Sequence, residues 1–383
     1  MTSARDRVTE RIRREGPIAF DAFMDEALYG PDGFFTHGRG AGRRGGDFVT
    51  SPEVGPLFGA LVARALDDQW DALGMPDPFV VVDAGAGRGR LAADVLSAAP
   101  RSASALRYVL VERSEALRVA QRDVVVLEPA EDALGPALLE PDGEWAPVGG
   151  VGPIAASLPN LPAVPVTGVV VANELLDTLP FRVVVRGLDG WEEARVGASG
   201  DTLVEELVPA SAELAGAADA VASGEVPIGA RLPVPTGVRA WLDTCAGVLR
   251  RGALIVVDYV EPASELVLRG QDGWLRTFRA HERGASCLDA PGEQDITADV
   301  PLEYVVHAAA TLGFTLEHET TQRDWLHGLG IDDLVAQARV EWDRRAHVGD
   351  LDALKNRSRV SEAAALVDPG GLGAHRVLVF SAR

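Results

Sequence analysis

The stretch FVVVDAGAGRGRLAADVL, Phe79 to Leu96, constrains the chain more than any other. Its valine run reads as a strand buried on both faces, the habit of parallel sheets covered by helices. Gly85, Gly87 and Gly89 then turn the chain straight into an apolar-periodic helix. Glycine permits a tight turn and lets backbone N–H groups approach a ligand without a Cβ in the way. A dinucleotide fingerprint needs a glycine where this chain has Arg90. The spacing GxGxG suits an S-adenosylmethionine turn instead, although the motif alone is equally compatible with a turn that binds nothing.

Further along, LRYVLVE, VTGVVVANE and GALIVVDY read as buried strands, with RLAADVLSAA and SEALRVAQRD as helices between. HRVLVFSA closes the chain as a last strand, and DVVVLEP (Asp123–Pro129) reads as another. Strands alternating with helices predict a doubly wound parallel sheet. FRVVVRGLDGWEEARV reads as a hairpin turning at LDG, and DTLVEELV as one more strand. The expected organisation is a helical, Gly-rich N-terminal region over residues 1–75, followed by a catalytic domain over 76–383. That domain carries accessory α+β insertions at about 181–235 and 260–300. One long helix is expected from about Val54 to Leu73.

Glu112 ends the second strand, where its carboxylate could accept both hydroxyls of an adenosyl ribose. A helix N-terminal acid is the plainer alternative. Asp83 ends the first strand, within reach of the turn or of a cofactor amine. Strand, Asp83, GxGxG, helix, strand and Glu112 together spell a methyltransferase fold. Asn173, Glu174 and Asp177 follow a buried strand, at the end where ligands of open α/β sheets bind. They are assigned to the methyl acceptor: Asn173 to orient it or the cofactor, Glu174 and Asp177 to pair with a cation such as guanidinium. Capping of a following helix is the alternative.

The motifs FMDEALYGPDGFF, GGDFVTSPEVGPLFG, DAGAGRGRLAADVL, VVANELLDTLPF, WEEARV, APGEQDITADV and TQRDWLHGLGI resemble, in this order, the MidA-like methyltransferase family. The resemblance runs from about Pro17 to Ile331. It implies a class I S-adenosylmethionine-dependent methyltransferase with an N-terminal extension and an inserted region. Because the family includes the mitochondrial complex I assembly arginine methyltransferase, it also implies a protein partner with an exposed arginine, and a homodimer is a further expectation. A small-molecule O- or N-methyltransferase and a non-catalytic assembly factor are the alternatives. By resemblance, Asp47, Thr50, Ser51 and Glu53 face cofactor or substrate, with Asp47 and Glu53 on the catalytic side; a helix cap at Thr50 or Ser51 is the bland reading. Thr50, Ser51 and Ser157 join Asp83, Gly85, Gly87, Gly89 and Glu112 as the cofactor set. The chain departs from the family pattern in three respects. Asp83 stands for a glutamate, Phe34 and Phe35 for two tyrosines, and Ala156 for an acid, leaving backbone near Ser157 to meet adenine. In GEQDIT, Asp295 and Thr297 look like cap residues, with a substrate-facing role equally open, and His281 reads as a solvated loop residue.

The chain has 383 residues and a formal net charge of −21. Such an acidic surface argues against sequence-independent nucleic-acid binding, which draws on basic patches. No apolar run is long enough for a membrane span, and the N-terminus shows no secretory h-region. Cys245 and Cys287 are far apart and read as core residues, with no zinc spacing near them. Their usage predicts a reducing, cytoplasmic compartment and no metal.

Overall fold

The computed structural model describes residues 3–39, 49–135, 147–222, 225–279, 282–284, 286–348 and 350–382. Seven strands form the central sheet: β1 (Phe79–Ala84), β2 (Leu106–Val111), β3 (Ile154–Leu158), β4 (Val166–Asn173), β5 (Leu249–Asp258), β6 (Thr315–Thr321) and β7 (Arg376–Ala382). Their order is β6-β7-β5-β4-β1-β2-β3. Strands β1 to β5 are mutually parallel, whereas β7 lies antiparallel between β5 and β6. The sheet is therefore the doubly wound, Rossmann-like sheet expected, made mixed by its last strand.

Period-two alternation divides the strand residues between two cores. Phe79, Val81, Tyr108, Val169 and Ile255 face one side, against Leu57, Leu61 and Leu66 of the helix Pro56–Ala72. Val80, Val82, Val109, Val170 and Leu254 face the other, against Val238, Leu242 and Cys245 of the helix Thr236–Val248. A third core is separate. It packs Val8, Phe23 and Met24 of the helices Ala4–Glu15 and Phe20–Tyr29 against Val184, Trp191 and Leu232 of an antiparallel sheet. That sheet comprises Ile18–Ala19, Arg182–Arg186, Trp191–Ser199, Thr202–Pro209 and Arg231–Val234. The hairpin read at LDG is thus present, and the first two helices share a core with the insertion.

Several local expectations give way. Asp123–Pro129 forms no strand: Val125 packs into the core, but Val126 is 83% exposed and no strand pairs with it. The edge strand is the alanine-rich Ile154–Leu158 instead. Asp295 and Thr297 lie inside a short strand, Asp295–Ala298, paired with Leu275–Arg279, and not at a cap. The helix expected from about Val54 to Leu73 is present as Pro56–Ala72, with Gly55 separating it from a short preceding helix, Ser51–Val54. Gly55 adopts φ +158°, and a Cβ there would stand 2.3 Å from the Glu362 carboxyl carbon. His281 lies outside the described residues.

Candidate active site

A cavity of about 350 Å³ opens at the carboxyl ends of β1, β2 and β4. The glycine turn forms its floor. Gly85 and Ala86 donate their N–H groups to the Val111 carbonyl, and Gly87 donates to Glu112 Oε2 at 3.0 Å. All three glycines have positive φ, but for different reasons. The space a Cβ would take at Gly85 is filled by Leu175, and at Gly89 by Leu110 and Gln121. Gly87 alone of the three meets nothing there and lines the cavity.

Glu112 is nearly buried and accepts a second backbone bond from Ser114, 2.8 Å to Oε1. Burial pushes its carboxyl upward, opposed by these N–H donors and by Arg118. Beside it, Leu117, Pro159, Asn160 and Leu161 give the cavity an apolar wall with one amide. Asp83 accepts from the Tyr108 hydroxyl at 3.1 Å, and burial pushes it up to about 7. An adenosyl cofactor fits these residues: a carboxylate for a diol, an apolar wall for a flat base, and a glycine offering open backbone between them.

The opposite end of the cavity is built by the residues after β4. Glu174 has φ +50°, a left-handed conformation that costs on the order of 1–3 kcal/mol for a non-glycine residue. Its N–H donates to the Val257 carbonyl, so the turn stays tied to the sheet. Its Oε1 accepts from the Ser51 backbone at 2.9 Å and from Asn173 Nδ2 at 3.3 Å. Burial, helped by the charge of Asp177, pushes the Glu174 carboxyl up to about 8. Asn173 keeps Oδ1 buried without a hydrogen-bond partner, and both side chains line the cavity. Glu53, Thr50, Tyr29, Phe35 and Trp241 also line the cavity.

An S-adenosyl-L-methionine-dependent methyltransferase family matches residues 61–320. A Burkholderia thailandensis protein crystallised with S-adenosyl-homocysteine superposes at a TM-score of 0.80, with 28% identity. The match covers 99% of this chain and 91% of that one. The chain is a MidA-like S-adenosylmethionine-dependent methyltransferase. Curated relatives agree. The mouse protein named protein arginine methyltransferase NDUFAF7, mitochondrial, is 29% identical over 92% of this chain and 80% of its own. Its rat counterpart is 30% identical over 84% and 73%. These relatives are mitochondrial by name, which overturns the cytoplasmic expectation.

Within this methyltransferase, Asp83, Gly85, Gly87, Glu112, Thr50, Glu53, Asn173 and Glu174 all meet at the one cavity. Four sequence-assigned residues lie elsewhere. Gly89 packs the helix that follows the turn. Ser157 donates to Gln121 Oε1 at 2.6 Å, inside the edge strand. Ser51 is fully buried; its hydroxyl goes to Gln322 Oε1 at 2.9 Å, and only its N–H reaches Glu174. Asp177 turns away from the cavity, accepting from the Thr297 hydroxyl. Asp47 lies outside the described residues. Thr50 occupies the N-cap position of Ser51–Val54 without a side-chain cap bond, so the capping alternative is not realised there. Ala156 is buried in the interior of β3, so Asn160, past the strand end, faces the cavity in its stead. Tyr29, in the motif FMDEALYGPDGFF, also lines the cavity. It stacks on Phe35 at 5.4 Å, its hydroxyl pairs with Thr178, and the Arg113 guanidinium sits 4.5 Å above its ring. A phenol thus reaches this cavity although Phe34 and Phe35 have none. Among the described residues no His, Cys, Asp and Glu cluster could hold a metal.

Proposed function

We propose that this methyltransferase acts on the guanidinium of a protein arginine. The observation that carries this reading is the pair at the end of β4: a Glu174 carboxyl and an unpartnered Asn173 Oδ1, side by side in the cavity. Both are acceptors, and a guanidinium is a planar array of donors that suits such a pair. Glu53 adds a third acceptor to the same wall. Relatives named protein arginine methyltransferases support the choice of acceptor.

Glu112 and the Gly85–Arg88 turn would hold the cofactor, with Asn160 and the apolar wall beside the adenine. The bound cofactor supplies an electrophilic methyl group on a sulfonium. Glu174 and Asn173 orient the guanidinium so that one nitrogen faces that methyl. As the new N–C bond forms and the methyl–sulfur bond breaks, with S-adenosyl-homocysteine as the leaving group, that nitrogen becomes acidic, and the Glu174 carboxylate accepts its proton. Pro52, Leu175, Leu179 and Pro180 line the cavity around these groups and limit water there.

The test uses methyl-labelled S-adenosylmethionine and lysate protein from cells lacking this enzyme, with the labelled product identified by mass spectrometry. Methylarginine is expected, and Glu174→Gln should lower its formation by about 10²-fold, the scale of a lost general base. Label found only on carboxylates, lysines or small molecules would reject the arginine acceptor.

A further inference from the structure

The turn that presents Glu174 is held from below by a residue the mechanism has not used. Asp258 ends β5, next to β4, and is fully buried. Its Oδ2 accepts two consecutive backbone N–H groups, Leu175 at 2.9 Å and Leu176 at 2.7 Å. Its Oδ1 accepts from Tyr259 N at 2.8 Å. The two clamped N–H groups belong to the residues that immediately follow left-handed Glu174. Leu175, seated between them, fills the space where Gly85 lacks a Cβ.

A buried carboxylate is costly unless its hydrogen bonds are satisfied, and here the bonds go to a turn whose conformation is itself unfavourable. Stored strain of this kind persists only where the surroundings over-determine it. We infer that Asp258 is a positioning residue for methyl transfer: its carboxylate clamps Leu175 and Leu176, and so fixes the Glu174 carboxyl against the acceptor nitrogen. Glu174, Asp177 and the Tyr259 phenol are ionisable groups close enough to feel its charge. Asp177 braces the same turn from its other side through Thr297, beside the Arg276–Asp299 pair, 2.6 Å apart. The inference rests on the acceptor role given to Glu174.

Asp258→Asn tests it. The amide keeps one oxygen for Leu175 and Leu176 but turns an N–H toward the Tyr259 N–H, so the clamp loosens without a large change of volume. Label incorporation into lysate arginine should fall by about 10-fold at saturating acceptor, because small misplacement of a positioned group costs that much or more. S-adenosyl-homocysteine affinity, read by calorimetry, should change by less than about 2-fold, since none of its proposed contacts is touched. The deciding measurement repeats the substitution in Glu174→Gln. A residue acting through Glu174 has nothing left to position there, so the second substitution should cost little more. Equal losses in both backgrounds, or a wild-type rate in Asp258→Asn, would overturn the inference. Asp258→Ser, which retains one acceptor oxygen, serves where the asparagine variant fails to fold. A wild-type rate in Glu174→Gln alone would instead remove the acceptor role, and the inference would go with it.

Discussion

Burial keeps two cavity carboxyls protonated unusually far up the pH scale, Asp83 to about 7 and Glu174 to about 8. Only the ionised Glu174 can take a proton from the acceptor, so kcat/KM should rise with pH through about 8. The limb should vanish in Glu174→Gln and persist in Asp83→Asn; a limb that survives in Glu174→Gln belongs to another group. The same shift has a stability consequence. The ordinary glutamate value is 4.5, so between there and about 8 the folded state holds a proton that the unfolded state releases. Stability contributed by that proton is complete below 4.5 and is lost as pH rises through about 8. Glu174→Gln should therefore melt higher than wild type at pH 9, by about 2 °C, with the gain shrinking toward pH 5. Gly87 gives the complementary test at the cofactor end. Its φ is +52° with open cavity where a Cβ would point. Gly87→Val should abolish S-adenosyl-homocysteine binding in calorimetry while leaving the far-ultraviolet spectrum native. Unchanged affinity would detach the turn from the cofactor.

Elements with strong local patterns were legible in the sequence, and those fixed by distant partners were not. β1, β2, β4 and β5 announce themselves because valine runs buried on both faces have few other conformations to adopt. β3 does not: Ile154–Leu158 holds two alanines and a serine, and only its pairing with β2 makes it a strand. Asp123–Pro129 has the opposite fault, a valine run with no neighbour to pair with. The site divides the same way. Glu112, Asn173 and Glu174 were readable from their places at strand ends. The surroundings of Asp177 were not, since Thr297, Arg276 and Asp299 come from an insertion about a hundred residues on. The N-terminal segment shows a further long-range tie. Arg88 donates to the Gly38 carbonyl at 2.8 Å, and Ser114 Oγ to the Phe35 carbonyl at 2.7 Å. Both donors sit on the cofactor-facing loops, so the segment that carries Tyr29 and Phe35 is latched to them. Ser114 also caps the helix Glu115–Gln121. Ser114→Ala should lower stability by about 1 kcal/mol through the lost cap and should also weaken S-adenosyl-homocysteine binding. Calorimetry showing wild-type affinity in this variant would confine Ser114 to the cap.

At the scale of the whole molecule, the N-terminal helices and the inserted strands form one core, while the central sheet holds two others. The cavity lies where residues of the first core, Tyr29 and Phe35, meet the ends of the sheet. An acceptor approaches it in the field of a chain whose formal net charge is −21. Such a field raises the local concentration of cationic partners and accelerates their encounter, and added salt screens it. An arginine-bearing protein segment is a partner of that sign. Raising salt from about 50 to about 500 mM should therefore lower kcat/KM for the arginine acceptor several-fold, with kcat little changed because the bound geometry is short-range. Steady-state rates at a series of salt concentrations check this, with S-adenosyl-homocysteine affinity measured alongside to separate acceptor from cofactor effects. A kcat/KM indifferent to salt would mean that the acidic surface serves solubility alone and that recognition of the acceptor begins inside the cavity.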